Sequence, residues 1–169
     1  NNCKYGISMN ENSLELTLLR ASASPEMRAD NKVHHFTYAF MAWEGSLMDS
    51  DVVRQGYELN VKPYLAPGSG RDFSMLSIDR SNIILDTMKP AEDGSGDLIL
   101  RLYESKKAAT SACIRLAPEL AAANAAQGVR VYDCDMLENV TEQLAAEDGT
   151  LTLSFRPFEV KTIRISRAE

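Results

Sequence analysis

Apolar and polar residues alternate with a period of two along much of this 169-residue sequence. In SLELTLLR, the side chains of Leu14, Leu16 and Leu18 share one side and polar residues lie between them. The same alternation occurs in HHFTYAFMAW (34–43), DLILRLYE (97–104) and TLTLSF (150–155). A period of two is the pattern of a strand with one buried face. We therefore predict four half-buried strands in these stretches.

Further strands are predicted in SNIILDTMKP (81–90), GVRVYDCDML (128–137) and EVKTIRIS (159–166). Pro157 separates the last of these from TLTLSF, because a proline inside such a run marks an edge, a bulge or the gap between two strands. Many short strands with turn residues between them are typical of antiparallel sandwiches. The fold class that we predict is all-β, with an antiparallel β-sandwich.

Three segments depart from the alternation. Residues 49–60 (DSDVVRQGYELN) have a cap residue and helical spacing, but Gly56 and the β-branched residues leave an extended segment nearly as plausible. Residues 117–128 (APELAAANAAQG) have helix propensity without apolar contrast, so we expect a helical turn or a loop. The Pro- and Gly-rich stretch 62–72 (KPYLAPGSGRD) predicts a boundary that leaves two pieces, residues 1–71 and 72–169.

Composition narrows the partners and the compartment. The apolar content of 44% is enough for a core, and the net charge of −6 comes from mixed rather than clustered charges. We expect no nucleic-acid partner, because that requires clustered Lys and Arg. No apolar run approaches the roughly 20 residues of a transmembrane helix, so no membrane partner is predicted. Cys3, Cys113 and Cys134 form no CxxC motif and are odd in number, which favours a reducing, cytoplasmic location.

Candidate catalytic and metal-ligating residues are few. His34 and His35 are neighbours in a predicted strand, so they point to opposite faces and cannot jointly hold one ion. The segment EDGSGD (92–97) lacks the ligand spacing of an EF-hand and favours a solvated hairpin turn over a calcium loop. Asn139 lies in a glycosylation sequon that we interpret as a chance match. The residues themselves predict no catalytic site and no metal site.

The order of several motifs is informative. The sequence contains, in order, NNCKYGIS, LELTLLRASASPEMRAD, HHFTYAF, VVRQGYELN, NIILDTMKPAEDGSGDLILRLYE, VYDCDMLE and LSFRPFEVKTIRI. Together they closely resemble the C-terminal β-region of the glycoside hydrolase family 38 α-mannosidases, over nearly the whole chain. Small departures from the family pattern are Asn2 and Glu26, where the family usually has Asp. Residues 118–128 match nothing in the family pattern.

The resemblance implies a fragment of a larger zinc-dependent, retaining α-mannosidase. Residues 1–71 would be the tail of the family's β-supersandwich domain, and residues 72–169 a small C-terminal β-sandwich. In the family, the carboxylate nucleophile and the zinc ligands belong to an N-terminal catalytic domain. That domain would be the partner of this chain, and the α-mannoside would be a substrate of the parent polypeptide. This sequence contains none of those residues, so we expect the fragment alone to be inactive.

The resemblance also implies one residue near the substrate. Family members carry an arginine from the β-region near the rim of the substrate site, and Arg20 is the best match. A guanidinium can donate two parallel hydrogen bonds to vicinal hydroxyls or orient a carboxylate. The alternative is an ordinary strand-end arginine paired with Asp30 or Glu26.

Two further hypotheses stay open. An independent carbohydrate-binding module would need an exposed aromatic platform, and the single tryptophan, Trp43, lies near Tyr38 and Phe40, where core packing is at least as plausible. A plain interaction β-sandwich is the third hypothesis. The sequence is compatible with a homo-oligomer.

Overall fold

A computed structural model of the chain describes residues 5–121 and 129–166. The described residues form ten strands, all paired antiparallel, with few helical turns. The all-β prediction is therefore confirmed. The chain divides into two compact units, Asn1–Ala66 and Pro67–Glu169, and the division falls inside the Pro- and Gly-rich stretch. The assignment of residues 1–71 to a larger β-supersandwich and of residues 72–169 to a small sandwich stays a prediction.

The first unit contains one hairpin and one helix. Its elements are β1 (Ile7–Asn10), β2 (Ser13–Leu16), a 3₁₀ turn (Leu47–Asp49) and α1 (Val52–Asn60). The helical alternative for residues 49–60 is confirmed. The strand predicted at residues 34–43 is wrong, since these residues form no strand. A strand exists only where a neighbour supplies hydrogen bonds, and no described strand pairs with this segment.

The second unit is a two-sheet sandwich. Its strands are β3 (Leu76–Ile78), β4 (Ile83–Pro90), β5 (Leu98–Glu104), β6 (Thr110–Leu116), β7 (Arg130–Cys134), β8 (Val140–Leu144), β9 (Thr150–Phe155) and β10 (Val160–Ser166). One sheet has the order β4-β5-β10-β7-β8 and the other the order β3-β6-β9. The alternation of apolar residues in β5, β9 and β10 predicted these strands correctly, whereas β3, β6 and β8 were missed.

The core of this unit lies between the two sheets. Leu100 and Ile163 from the five-stranded sheet meet Ile114, Leu153 and Phe155 from the three-stranded sheet, and all are buried. Burying such side chains stabilises a fold by about 1.5–3 kcal/mol each relative to full exposure. β6 (TSACIRL) alternates as clearly as the predicted strands, so its signal was present in the sequence.

The Ala-rich segment is only partly described. A short helix, α2 (Pro118–Ala121), occupies its start, and residues 122–128 lie outside the described residues. Of the helices that the structure describes, none is both long and apolar enough to cross a membrane.

Candidate functional site: an uncovered apolar face in residues 5–66

The β1–β2 hairpin has one apolar face. In its register Ile7 pairs with Leu16 and Met9 pairs with Leu14, so these four side chains lie on the same face. Ile7, Met9 and Leu14 are 65%, 81% and 57% exposed. A two-stranded hairpin is marginal in water unless such a face packs against something else.

The rest of the first unit repeats this feature. The apolar side chains of Val33, Tyr38, Phe40 and Trp43 are exposed, and no apolar side chain is buried among the described residues of this unit. Core packing of Trp43, one of the two interpretations of the sequence, does not occur within the described part of the first unit. The described part of this unit therefore presents apolar surface without a buried apolar core.

The buried side chains described in the first unit are polar. Among residues 5–66 they belong to Asp30 and Ser50. The Asp30 carboxylate accepts a 2.5 Å hydrogen bond from the Tyr5 hydroxyl, and the Ser50 hydroxyl donates to the Leu47 carbonyl at 2.6 Å. Such bonds contribute about 1 kcal/mol each, which is small beside a packed core.

A cleft of about 510 Å³ lies between residues 39–41 and α1. Phe40, Val52 and Leu59 are among its lining residues, so its walls are largely apolar. Contiguous exposed apolar surface in a soluble protein marks an interaction site. The cleft therefore adds to the exposed apolar surface of the first unit.

Arg20, the predicted rim residue, is exposed and follows β2 by four residues. Its guanidinium forms no ion pair with Asp30 or Glu26 in the described part of the chain. The Glu26 carboxylate instead accepts a 3.0 Å hydrogen bond from the Arg28 backbone N–H.

The two histidines are placed differently from each other. The His34 ring stacks on Phe36 with centroids 5.9 Å apart, and its Nε2 lies 2.9 Å from the Asp30 carbonyl oxygen. His35 is exposed. Neither residue lies in a strand, so their predicted strand position is wrong.

The predicted EDGSGD turn lies in the second unit and joins β4 to β5. Positive φ angles of 74° at Gly94 and 81° at Gly96 bring Asp93, Ser95 and Asp97 to one side. The Arg164 guanidinium occupies that side, with Nε 2.6 Å from Asp97 Oδ2 and Nη2 2.7 Å from Asp93 Oδ2. Hydrogen bonds from Ser95 and then Arg164 lower the pKa of Asp93 to about 2. The turn binds an arginine of the same chain.

A second charged cluster lies near this turn. The Glu138 carboxylate is buried, and its Oε1 lies 2.5 Å from Lys89 Nζ. The hydrogen bond from Lys89 is the main reason that the pKa of Glu138 lies below its usual range. A cleft of about 500 Å³ is lined by residues of both clusters, including Asp93, Glu138 and Arg164. Because its charges are already paired, this cleft offers no poised nucleophile or base.

No group of three or more His, Cys, Asp or Glu residues in the described ranges 5–121 and 129–166 could hold a metal ion. The described residues therefore offer no zinc site, and the zinc of the family resemblance would be held by the N-terminal catalytic domain that the resemblance implies.

The second unit contains a match to a known family, and several longer proteins are similar to both units. Residues 82–163 match the family described as "Glycosyl hydrolases family 38 C-terminal beta sandwich domain". "Alpha-mannosidase 2C1" of Mus musculus is 36% identical, and that of Homo sapiens 33% identical, each over 96% of this chain. The chain belongs to glycoside hydrolase family 38 and corresponds to the C-terminal region of its members.

The relatives are much longer than this chain. "Alpha-mannosidase G" of Dictyostelium discoideum is 33% identical over 97% of the chain, and the matched part is 15% of that protein. For the mouse and human proteins the matched part is 16%. The chain thus spans about a sixth of the length of the family 38 relatives it matches. The sandwich match begins at residue 82, so the uncovered apolar face lies outside it.

The family resemblance predicted the exposure of the hairpin face, because it implies that the residues before about Tyr64 are the tail of a larger sheet and expose apolar surface. The alternation in SLELTLLR predicted a half-buried strand, and it carries no information on whether the chain itself covers the apolar side. The pairing of Ile7 with Leu16 and of Met9 with Leu14, which forms the exposed face, was not predicted.

Proposed function

We propose that this chain is a C-terminal β-region of a zinc-dependent, retaining α-mannosidase and serves a structural and interface role there. The parent polypeptide would hydrolyse α-mannosidic bonds with a nucleophile and zinc ligands from an N-terminal catalytic domain. Membership of family 38 and the similarity to proteins named α-mannosidases support this proposal.

The observation that carries the interface role is the bare face formed by Ile7, Met9, Leu14 and Leu16. Covering an apolar side chain stabilises by about 1.5–3 kcal/mol, so three exposed positions represent a large driving force for docking. In the proposal the catalytic domain of the parent polypeptide covers this face.

Matched substitutions in the full-length parent test the proposal. Leu14 and Ser13 are neighbours on β2 and lie on opposite faces of the hairpin. We expect Leu14→Asp to lower the thermal midpoint and the yield of active enzyme, because it places a charge in the docked interface. Ser13→Asp should leave both close to the wild-type values. Equal effects of the two substitutions would contradict docking through the apolar face.

The role of the isolated chain is tested separately. We expect the purified 169-residue chain to hydrolyse no aryl α-mannoside and to bind no stoichiometric zinc, because a catalytic zinc needs about three protein ligands. Hydrolysis by the pure chain that a chelator abolishes would refute this expectation.

Arg20 is proposed as a residue at the rim of the parent's substrate site. Its exposed guanidinium, which pairs with neither Asp30 nor Glu26 in the described residues, supports this role. In the full-length parent, Arg20→Lys should lower kcat/KM roughly ten- to hundredfold, because lysine lacks the planar fork and one charge-assisted hydrogen bond is worth about 1.5–3 kcal/mol. The thermal midpoint should stay unchanged. An unchanged kcat/KM would remove Arg20 from the site.

A carbohydrate-binding module is the second candidate function. The exposed rings of Tyr38, Phe40 and Trp43 within one short segment favour it, since aromatic rings stack on sugar faces. Calorimetric titration of the chain with mannose and longer mannosides tests this function. Binding that Phe40→Ala abolishes would support it, and no detectable heat would refute it.

Location and assembly complete the proposal. We propose a cytoplasmic location, which the free thiols of Cys113 and Cys134 support. The N-terminal catalytic domain is the proposed partner, and a homo-oligomer of the parent is compatible with this arrangement.

A further inference from the structure

The turn between β9 and β10 contains an unusual backbone conformation. Its sequence is Arg156-Pro157-Phe158-Glu159, and the Glu159 N–H donates to the Arg156 carbonyl oxygen at 3.0 Å. Pro157 at the second position and a φ of 58° at Phe158 match a type II β-turn. The third position of that turn favours glycine or asparagine, because its φ is positive.

Phe158 differs in kind from the other residues with positive φ. Within the described part of the chain the non-glycine residues of this class are Glu11, Ala21, Lys107, Glu138, Asp148 and Phe158. Phe158 is the aromatic member of that set, and a bulky side chain in the left-handed region is a genuine outlier. Such strain persists only where surrounding contacts enforce it, and it concentrates at functional positions.

Two sets of contacts enforce the conformation. The Phe158 N–H donates to Glu104 Oε2 at 3.0 Å, and Glu104 is completely buried. Glu104 Oε1 accepts hydrogen bonds from Asn82 Nδ2 at 2.8 Å and from the Lys106 N–H at 2.7 Å. Across the turn, the Arg156 N–H donates to Glu159 Oε2 at 2.7 Å. The conformation of the turn is thus held by contacts within the second unit.

This rigid turn displays its ring to the outside. Phe158 and Val160 are each 53% exposed. Val160 pairs with Tyr103, and Tyr103 pairs with Ile84, so three apolar or aromatic side chains form a row across β10, β5 and β4. The corresponding row nearer the other end of the sheet has Lys89 and Arg164 on either side of the buried Ile99. The apolar row and Phe158 together are called the Phe158 patch.

We propose that Phe158 anchors a second intramolecular docking surface, the Phe158 patch, which the N-terminal catalytic part of the same polypeptide covers. This inference rests on the proposed function. The chain spans about a sixth of its relatives, and a patch of four side chains is smaller than the surface of roughly 800 Å² per partner that a separate protein needs. A tethered partner has a high effective concentration and docks on a smaller surface.

The experiment compares glycine substitutions at two positive-φ positions in the full-length polypeptide. Lys107 has a φ of 56° and lies in an exposed turn, so Lys107→Gly relieves strain and should raise the thermal midpoint by about 1–2 °C. Phe158→Gly relieves the same kind of strain but removes the ring. We expect it to lower the midpoint by several degrees, which is the opposite sign.

Two variants guard against a folding failure. Phe158→Asn tolerates positive φ without a ring and should also lower the midpoint, whereas Phe158→Tyr keeps the ring and should retain the wild-type value. If Phe158→Gly raises the thermal midpoint as much as Lys107→Gly does, the inference is overturned. A wild-type oligomer that Phe158→Gly converts to a monomer would also overturn it, because a second copy would then be the occupant. If Leu14→Asp lowers the thermal midpoint and Phe158→Gly and Phe158→Asn do not, the Phe158 patch is refuted and the proposed function is left intact.

Discussion

β2 in the first unit and β9 in the second have the same sequence pattern and opposite burial. Both alternate leucine with polar residues, yet Leu14 is 57% exposed and Leu153 is 4% exposed. Leu153 faces the five-stranded sheet, whereas the hairpin face that contains Leu14 has no second layer in the described residues. Alternation determines which side chains share a face, but burial requires another element to cover that face.

Polar residues show the same contrast. Glu104 in the second unit connects Asn82, Lys106 and Phe158, which lie in three different turns. In the first unit, the described contacts of the buried Asp30 and Ser50 are with Tyr5, His34, Leu47 and Val52, and the described strands of that unit form a single hairpin. A buried polar network adds stability when every member is bonded and a surrounding core excludes water. The second unit satisfies both conditions.

The largest expected difference between the units is in hydrogen exchange. In the 169-residue chain, amides of β5 and β10 should exchange on the order of a thousandfold more slowly than those of β1 and β2, because core strands open only with global unfolding. Mass spectrometry of the exchanged chain measures this ratio. Comparable protection in the hairpin would show that the first unit has a stable fold of its own.

Leucine truncation probes the comparison at single residues. Leu102→Ala should lower the free energy of unfolding by about 2–5 kcal/mol, because Leu102 is completely buried in the core. Leu14→Ala in the same 169-residue chain should change it by less than about 0.5 kcal/mol. Urea titration measures both values. A large effect of Leu14→Ala would mean that the hairpin face is covered without the parent polypeptide.

Glu104→Gln tests the buried polar network. Burial raises the pKa of Glu104, but hydrogen bonds from Phe158, Asn82 and Lys106 outweigh burial and hold the pKa below its usual range. The side-chain NH₂ of glutamine cannot accept a hydrogen bond from a backbone N–H. The substitution should therefore lower the free energy of unfolding by about 1–3 kcal/mol at pH 7.

The pH dependence of that cost has a definite sign. Because the folded pKa is lowered, the stabilisation by ionised Glu104 is fully present above the unfolded pKa of about 4.3 and is lost as the pH falls through the folded pKa. The difference in stability between wild type and Glu104→Gln should therefore narrow below about pH 4. A constant difference from pH 7 to pH 3 would contradict the assigned charge.

The smallest expected effect is in α1 of the first unit. Arg54 Nε lies 3.1 Å from Glu58 Oε1, and both side chains are largely exposed. Arg54→Ala should therefore cost at most about 0.5 kcal/mol, and the cost should shrink at high salt. Helix content by circular dichroism at low and high salt measures the effect. A cost above 1 kcal/mol would assign the helix a larger role in stability.

Two features were determined by the sequence alone. These are the strands in which apolar residues alternate with polar ones, and the membership of family 38. Leu98, Leu100 and Leu102 alternate so regularly that β5 was predictable, and the ordered motifs identified a family 38 C-terminal region. It also indicated that EDGSGD forms a turn. These features depend on local spacing, which a linear sequence contains in full.

Tertiary structure alone decided which predicted faces are covered and which carboxylates are paired. Residues 34–43 had the period of a strand but form none, because pairing depends on a neighbour that the period does not specify. The contact of Arg164 with Asp97 joins residues 67 positions apart, and that of Phe158 with Glu104 joins residues 54 positions apart. The positive φ at Phe158 follows from the second of these contacts, and local propensity alone would have placed glycine there.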